Sequence, residues 1–525
     1  MFVGLAGFVL MIGTSAQLPP SNAAVPQAAA ERGDERRLMP PLESIALPEE
    51  RATITKLLST SEASKGDNVA ALAAFDAALA TLTRPSQLRG AVQLTRASVL
   101  MGMERVAEAT LASEEAIRLL PGYSAPLLMA FEVYAYSARP DKSADALMRA
   151  IAIDPASARE IDDYEINNLV MRLDLARDDR RLRAVVDKLL AIGWMGEGVG
   201  SRSALARDAI KARIRAGDVV GARALIPSLV APAHTRALLM MNVNRAIWPD
   251  LELWAGARFE KQWPSYLQES RTRWVTSGDL SLGRQYMSAL SSAGLDREMV
   301  DEFQPVLARV RDPERDWPAM FMAPILAGAQ VRLGKVSEAL ATFDQLGAIW
   351  PLGRSAIALN IWANRGRWLI YTGRPAEGLA QLDAAVADTR KWGGEVNVNA
   401  LRAMHHYRAC ALHLLGRDDE ARVAAAIATA GGKAENAAEA YVCIGDMDTA
   451  RNRLIAALAQ EDERESVVAF MQIQKSDELE TDFIKADRER RDALRRDPRL
   501  LAAMAPYGRV LPFALNGSVI SNSVK

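Results

Sequence analysis

A recurring unit constrains this chain more than any other feature, because a segment that repeats must bury its apolar face against copies of itself. Ala109, Ser113, Ala116 and Pro121 stand in the same frame as Ser143, Leu147, Ala150 and Pro155. The step from Pro121 to Pro155 is 34 residues, and so is the step from Ala116 to Ala150. An earlier copy runs through Gly66, Asp67, Ala71, Phe75 and Ala78. Later copies open on a glycine: Gly334 with Ala339, Phe343 and Leu346; Gly373 with Gly378, Leu382 and Ala385; Gly416 with Ala421 and Ala428; Gly445 with Ala450, Leu454 and Ala457. Small residues on either side of a bulky one let two antiparallel helices approach closely, with the bulky side chain in the groove between them. The later glycines are 39, 43 and 29 residues apart, so the helices differ in length.

From about Glu49 to Arg496 apolar residues recur three and four apart between short Gly, Asp or Pro breaks, which predicts an all-α fold. The 34-residue frame closes near a proline. It carries Trp362 and Gly366 in a first helix, Ala438 and Tyr441 one unit before the end, and the turns Leu333–Ala339 and Leu415–Ala421. In these respects the chain resembles the tetratricopeptide repeat (TPR) superfamily, whose unit is a helix-turn-helix of that length. The resemblance implies a right-handed α-solenoid of about ten stacked units, degenerate ones included, acting as a binding scaffold and not as an enzyme. It divides the chain into an N-terminal array over 49–155, degenerate or elongated repeats over 156–316, a C-terminal array over 317–470, capping helices over 471–511 and a loose tail over 512–525. The middle region keeps only fragments of the frame, Gly217 with Ala222 and Gly278 with Gly283, among Trp248, Trp254, Trp263 and Trp274.

The chain opens on sixteen uncharged residues, with an apolar run from Phe2 to Gly13 followed by Thr14, Ser15 and Ala16. Residues 1–24 read as a signal peptide without the usual basic start, or as an N-terminal anchor, and 25–48 as a flexible leader. Export to the periplasm, or secretion, is the expectation. The Ala- and Arg-rich composition points to a bacterial source. With 64 basic and 65 acidic side chains the net charge is -1, which gives nucleic acid no footprint. A membrane would be touched only through an uncleaved N-terminal segment.

Catalytic templates are absent: the four histidines form no HExxH, no GxSxG occurs, and the glycines from Gly193 to Gly200 lack a phosphate-loop lysine. No cofactor is expected. His406, Cys410 and His413, at i, i+4 and i+7, share one helix face, with Cys443 one unit on. These are low-ranking candidates for zinc or copper, since imidazole and thiolate suit borderline and soft metals. A bridge from Cys410 to Cys443, or plain buried thiols beside groove-lining histidines, are the other readings.

The TPR resemblance places the partner-binding positions on the inward face of the first helices. Here they fall on Arg332, Arg367, Tyr371, His406, Cys410, His413, Glu435 and Glu439, with an earlier group at Glu132 and Tyr136. Arginine makes bidentate contacts to carboxylates and tyrosine offers contact area at low entropy cost, so the set suits a peptide or a helix of another protein. Two other readings are a sensor half of a membrane-anchored regulator and a metal or redox protein centred on Cys410. The mixed-charge stretches Arg172–Arg183 and Lys485–Arg496 read as exposed helix faces with local ion pairs.

Overall fold

The computed structural model describes residues 45, 47–50, 52–53, 67–196, 198–392, 396–473 and 481–513. The signal-like segment, nearly all of the leader, Gly66 and the last twelve residues of the tail lie outside them. The described residues form 26 α-helices and no strand. In chain order they are α1 (Asn68–Thr81), α2 (Gln87–Gly102), α3 (Val106–Leu119), α4 (Ala125–Tyr136), α5 (Pro140–Ile153), α6 (Pro155–Arg159), α7 (Asp163–Leu175), α8 (Asp179–Ala191), α9 (Val199–Arg215) and α10 (Val219–Ala224). The next are α11 (Pro232–Met240), α12 (Trp248–Ala255), α13 (Trp263–Ser277), α14 (Leu280–Ala293), α15 (Asp296–Leu307), α16 (Ala319–Arg332), α17 (Val336–Ile349), α18 (Leu359–Tyr371) and α19 (Pro375–Trp392). The last are α20 (Val398–Leu414), α21 (Asp418–Thr429), α22 (Ala434–Cys443), α23 (Met447–Leu458), α24 (Glu461–Phe470), α25 (Asp482–Arg495) and α26 (Pro498–Met504). They sort into two compact units, one ending at Leu229 and one beginning at Val230. Consecutive helices pair in both, so the fold is an all-α, TPR-like solenoid of stacked hairpins.

One turn builds nine of these hairpins. Its left-handed residue is Glu104, Ala138, Arg177 or Gly217 in the first unit, and Gly294, Gly334, Gly373, Gly416 or Gly445 in the second. In each case the next residue's N–H donates to the carbonyl five positions back, as Arg139 does to Tyr134 and Lys335 to Gln330, over 2.8 to 3.0 Å. This is the six-to-one bond of a Schellman cap, which satisfies carbonyls that the first helix leaves open. The small and bulky positions then do the packing. Ala109, Ala116, Leu147, Ala150, Ala339, Phe343, Leu346, Leu382, Ala385, Ala421, Ala450 and Leu454 are all fully enclosed. One close approach is between α18 and α19, where a Cβ on Gly378 would meet the Gly366 carbonyl oxygen at 2.7 Å.

Charges are neutralised locally across the stack. An arginine of a first helix reaches an aspartate of the preceding hairpin in Arg96–Asp76 at 2.7 Å, Arg213–Asp187 at 2.6 Å, Arg365–Asp344 at 2.7 Å and Arg408–Asp383 at 2.6 Å. Each such partly exposed pair is worth at most about 1 kcal/mol. Their recurrence explains how so many charges leave almost no net charge.

The second unit has a feature that a plain array lacks. Residues near its end return to its beginning: Gly508 pairs with Met241 in an isolated bridge, and the Arg509 side chain donates to the Leu239 carbonyl at 2.9 Å. The same guanidinium lies 3.7 Å from the centre of the Trp248 ring and pairs with Glu252 at 2.8 Å. Phe513, within the stretch expected to be loose, meets the edge of Phe259 at 5.7 Å between ring centres. Gly193, Gly196 and Gly198 lie in the link between α8 and α9 and Gly200 in the first turn of α9; the link is fastened by Trp194, whose indole N–H donates to the Ile161 carbonyl at 2.9 Å. No described helix is long and apolar enough to cross a membrane.

Candidate functional site

The first helices α18, α20 and α22 of the second unit make one continuous face, and a helix of the same chain lies on it. Thr481 starts α25 by accepting the Ile484 N–H at 3.2 Å, and its hydroxyl donates to the Tyr371 carbonyl at 2.7 Å, 110 residues away in sequence. Phe483 packs its ring 5.3 Å from that of Tyr371. Two turns on, Arg491 pairs with Asp487 of its own helix at 2.9 Å and with Glu439 of α22 at 2.8 Å. Arg490 donates to the Cys443 carbonyl at 2.7 Å. The expectation that Lys485–Arg496 is a solvated face is therefore corrected: Asp487 and Arg491 are buried and close the face. Burial works against the Arg491 cation, but Asp487 and Glu439 outweigh it and hold the guanidinium charged.

Six of the predicted groove residues gather around this helix or its neighbours. Arg367 is only 3% exposed, and its guanidinium lies 4.8 Å from the ring centre of Trp368, 5.3 Å from Tyr371 and 5.7 Å from Tyr407. Burial pushes the Tyr371 hydroxyl well above its ordinary value. His406 stacks on Tyr407 at 4.9 Å. Burial, reinforced by Arg491, pushes its imidazole down to about 4, so it is neutral near pH 7. Cys410 and Cys443 are joined in a disulfide with their Cα atoms 5.4 Å apart. Glu439 accepts from Arg491, as above. Glu435, one turn before Glu439 on α22, is buried beside Ser466 of α24, and burial raises its carboxyl. The Ala434 N–H beside it donates to Glu463 at 3.0 Å.

Two of the predicted positions stand apart. Arg332 joins Asp296 in a bidentate pair at 2.6 and 2.8 Å, fastening α16 to α15. His413 lies at the end of α20 and meets Asp418 at 2.7 Å across the hairpin turn. The candidate metal set is thereby corrected: one ligand atom each from His406, Cys410 and Cys443 falls within 4.8 Å of the others, and His413 is not part of the group.

The first unit carries a different constellation. Glu132 of α4 and Glu165 of α7 lie on the first helices of successive hairpins, 33 residues apart in sequence, and burial raises both carboxyls, with Glu132, Glu165 and Asp162 repelling one another. Neither carboxylate has an ion pair among the described residues. Tyr136, 43% exposed, and Tyr164, 62% exposed, flank the pair. Sequence reasoning found Glu132 and Tyr136 but missed Glu165, Asp162 and Tyr164, although stepping one repeat forward from Glu132 lands within a residue of Glu165. It also missed α25 as the occupant of the second unit's face.

No protein-family model and no curated protein matches the chain. Among solved structures, it is similar to Naa15/Naa10 bound to HypK-THB, with 12% identity, 85% of this chain and 80% of that chain covered, and a TM-score of 0.27. The anaphase-promoting-complex (APC/C) hetero-tetramer Cut9–Hcn1 is similar at 12% identity, with 84% and 97% covered and a TM-score of 0.28. The TPR domain of P58(IPK) is similar at 13% identity, with 79% and 99% covered and a TM-score of 0.20.

Proposed function

We propose that this chain is a non-catalytic protein-interaction scaffold of the bacterial cell envelope that receives a helix of a partner protein on the first-helix face of its second unit. The observation that carries the reading is α25: the residues expected to take a partner already hold a helix. Its chemistry defines the guest. Phe483 and Arg491 are eight residues apart, about 12 Å along a helix, and they meet Tyr371 at one end and Glu439 at the other. A suitable partner is an amphipathic helix with an aromatic residue and an arginine at that spacing, taking the place of α25. The unpaired carboxylates of Glu132 and Glu165, with Tyr136 and Tyr164 beside them, supply a second point of recognition, suited to a basic side chain. The uncharged apolar run at residues 2–13 supports export.

The test uses a fluorescent peptide of residues 481–496 and the full chain carrying Phe483→Ala and Arg491→Ala, which loosen the resident helix. The variant should bind the peptide, the unaltered chain should not, and adding Glu439→Lys should abolish binding. A variant that keeps its helical circular dichroism yet binds no better than the unaltered chain would overturn the reading. For location, an intact Met1 on protein from a cytosolic fraction would count against export.

A further inference from the structure

One buried cluster is not used by this mode of binding. His406 and Cys410 lie one helical turn apart on the same face of α20, and Cys443, the last residue of α22, completes a triad whose ligand atoms are mutually within 4.8 Å. All three residues are buried. We propose that, once the Cys410–Cys443 disulfide is reduced, His406, Cys410 and Cys443 form a three-coordinate site for a monovalent soft metal ion, copper(I).

The geometry suits such an ion. Metal–sulfur bonds of about 2.3 Å and a metal–nitrogen bond of about 2.0 Å, at trigonal angles, put ligand atoms about 4 Å apart. Residues whose Cα atoms are 5.4 Å apart can hold their sulfurs at that separation by side-chain rotation once the bridge is reduced. The ligand set also selects the ion. Two thiolates and an imidazole are soft donors, whereas zinc takes four ligands in structural sites and no fourth donor joins this group among the described residues. Glu439, four residues before Cys443, is engaged by Arg491. Charge points the same way. Two thiolates and copper(I) carry a net charge of −1, and the Arg490 guanidinium sits on the Cys443 carbonyl at 2.7 Å, where it favours an anionic complex over a neutral zinc dithiolate.

The chemistry balances with a trialkylphosphine as reductant. The phosphine gives two electrons to the sulfur–sulfur bond and takes the oxygen of one water to become its oxide. The two protons of that water end on the sulfurs. Copper(I) then displaces both thiol protons to buffer without changing oxidation state.

The experiment uses the full chain under anaerobic conditions, reduced with phosphine, desalted and shown to contain two free thiols. It is then titrated with copper(I) against a chromophoric bathocuproine chelator. The reduced chain should withhold one equivalent. The disulfide form and the Cys410→Ser and Cys443→Ser variants should withhold none, and His406→Ala should weaken retention at least about tenfold. X-ray absorption of the loaded, unaltered chain should show two sulfur neighbours and one nitrogen, independently of how the variants fold. The proposal is overturned if the folded chain yields no thiols, if the reduced chain withholds no copper, if Cys443→Ser retains it equally, or if a parallel zinc titration shows zinc held in preference.

Discussion

The two units use the same hairpin, yet their first-helix faces treat charge in opposite ways. In the second unit, Glu439 lies under a helix that brings its own arginine, Arg491, and a balancing aspartate, Asp487. In the first unit, Glu132 and Glu165 confront each other with no cation paired to them among the described residues. The contrast teaches that the first helix fixes where a carboxylate stands, while a separate element decides whether it is paired. A buried carboxylate with a partner is part of the core; one without a partner keeps its proton to higher pH.

The largest effect expected from breaking this contrast is on Arg491. Truncation to Ala strands Asp487 and Glu439 and should cost about 3–5 kcal/mol in denaturant unfolding of the second unit. Glu439→Gln together with Asp487→Asn in that background should recover part of the loss. Next comes the close approach of α18 and α19. Gly378→Ala drives a Cβ onto the Gly366 carbonyl and should destabilise the same transition by about 1–3 kcal/mol.

A smaller effect belongs to the carboxylate pair of the first unit, because both groups are partly solvated. Their folded pKa values are raised above the ordinary glutamate value, so the folded chain holds protons that the unfolded chain releases. That contribution to stability is complete below the ordinary glutamate range and is lost as pH rises through the raised values. Thermal unfolding of the double variant Glu132→Gln, Glu165→Gln, followed from about pH 5 to about pH 9, should show a flatter decline than the unaltered chain.

The smallest effect concerns the turns. Ala138 holds a left-handed φ of 54° that glycine adopts without penalty, so Ala138→Gly should stabilise the first unit by up to about 1 kcal/mol. Gly334→Ala, at a φ of 75° with open space around the Cβ, should destabilise the second unit by about the same amount. Equal responses at the two sites would remove the distinction between their turns.

These turns also explain what was legible in the sequence. Gly334, Gly373, Gly416 and Gly445 announce the second unit's hairpins because glycine is the residue that left-handed caps favour. Glu104, Ala138 and Arg177 perform the same task with side chains that carry no such signal, so the hairpin at Arg177 was not visible. The first-helix face of the second unit was legible as a set, since the frame places Arg367, Cys410 and Glu439 each six residues before the turn glycines Gly373, Gly416 and Gly445, with Tyr371 and His406 one helical turn away. Its occupant was not. The α25 sequence is so rich in alternating charge that it reads as solvated, and only its long-range pairing with Glu439 and Tyr371 makes it core. The cysteine cluster fell between these cases: Cys443 was placed one unit on from Cys410, but His413, on the same helix stripe as His406, is drawn away by Asp418.

The return of Arg509 to Trp248 and Leu239 has a consequence for how the second unit can change in length. In an array whose hairpins touch only their neighbours, a duplicated or deleted repeat shifts everything beyond it as a block and leaves each interface intact. Here such a shift would carry Gly508 and Arg509 away from Met241 and Leu239, and one arising between Tyr371 and Thr481 would also move α25 out of register with Tyr371. The unit is therefore locked in its repeat number. Growth by whole repeats, the ordinary evolutionary currency of solenoids, is closed to it, and variation must come through side chains and loops.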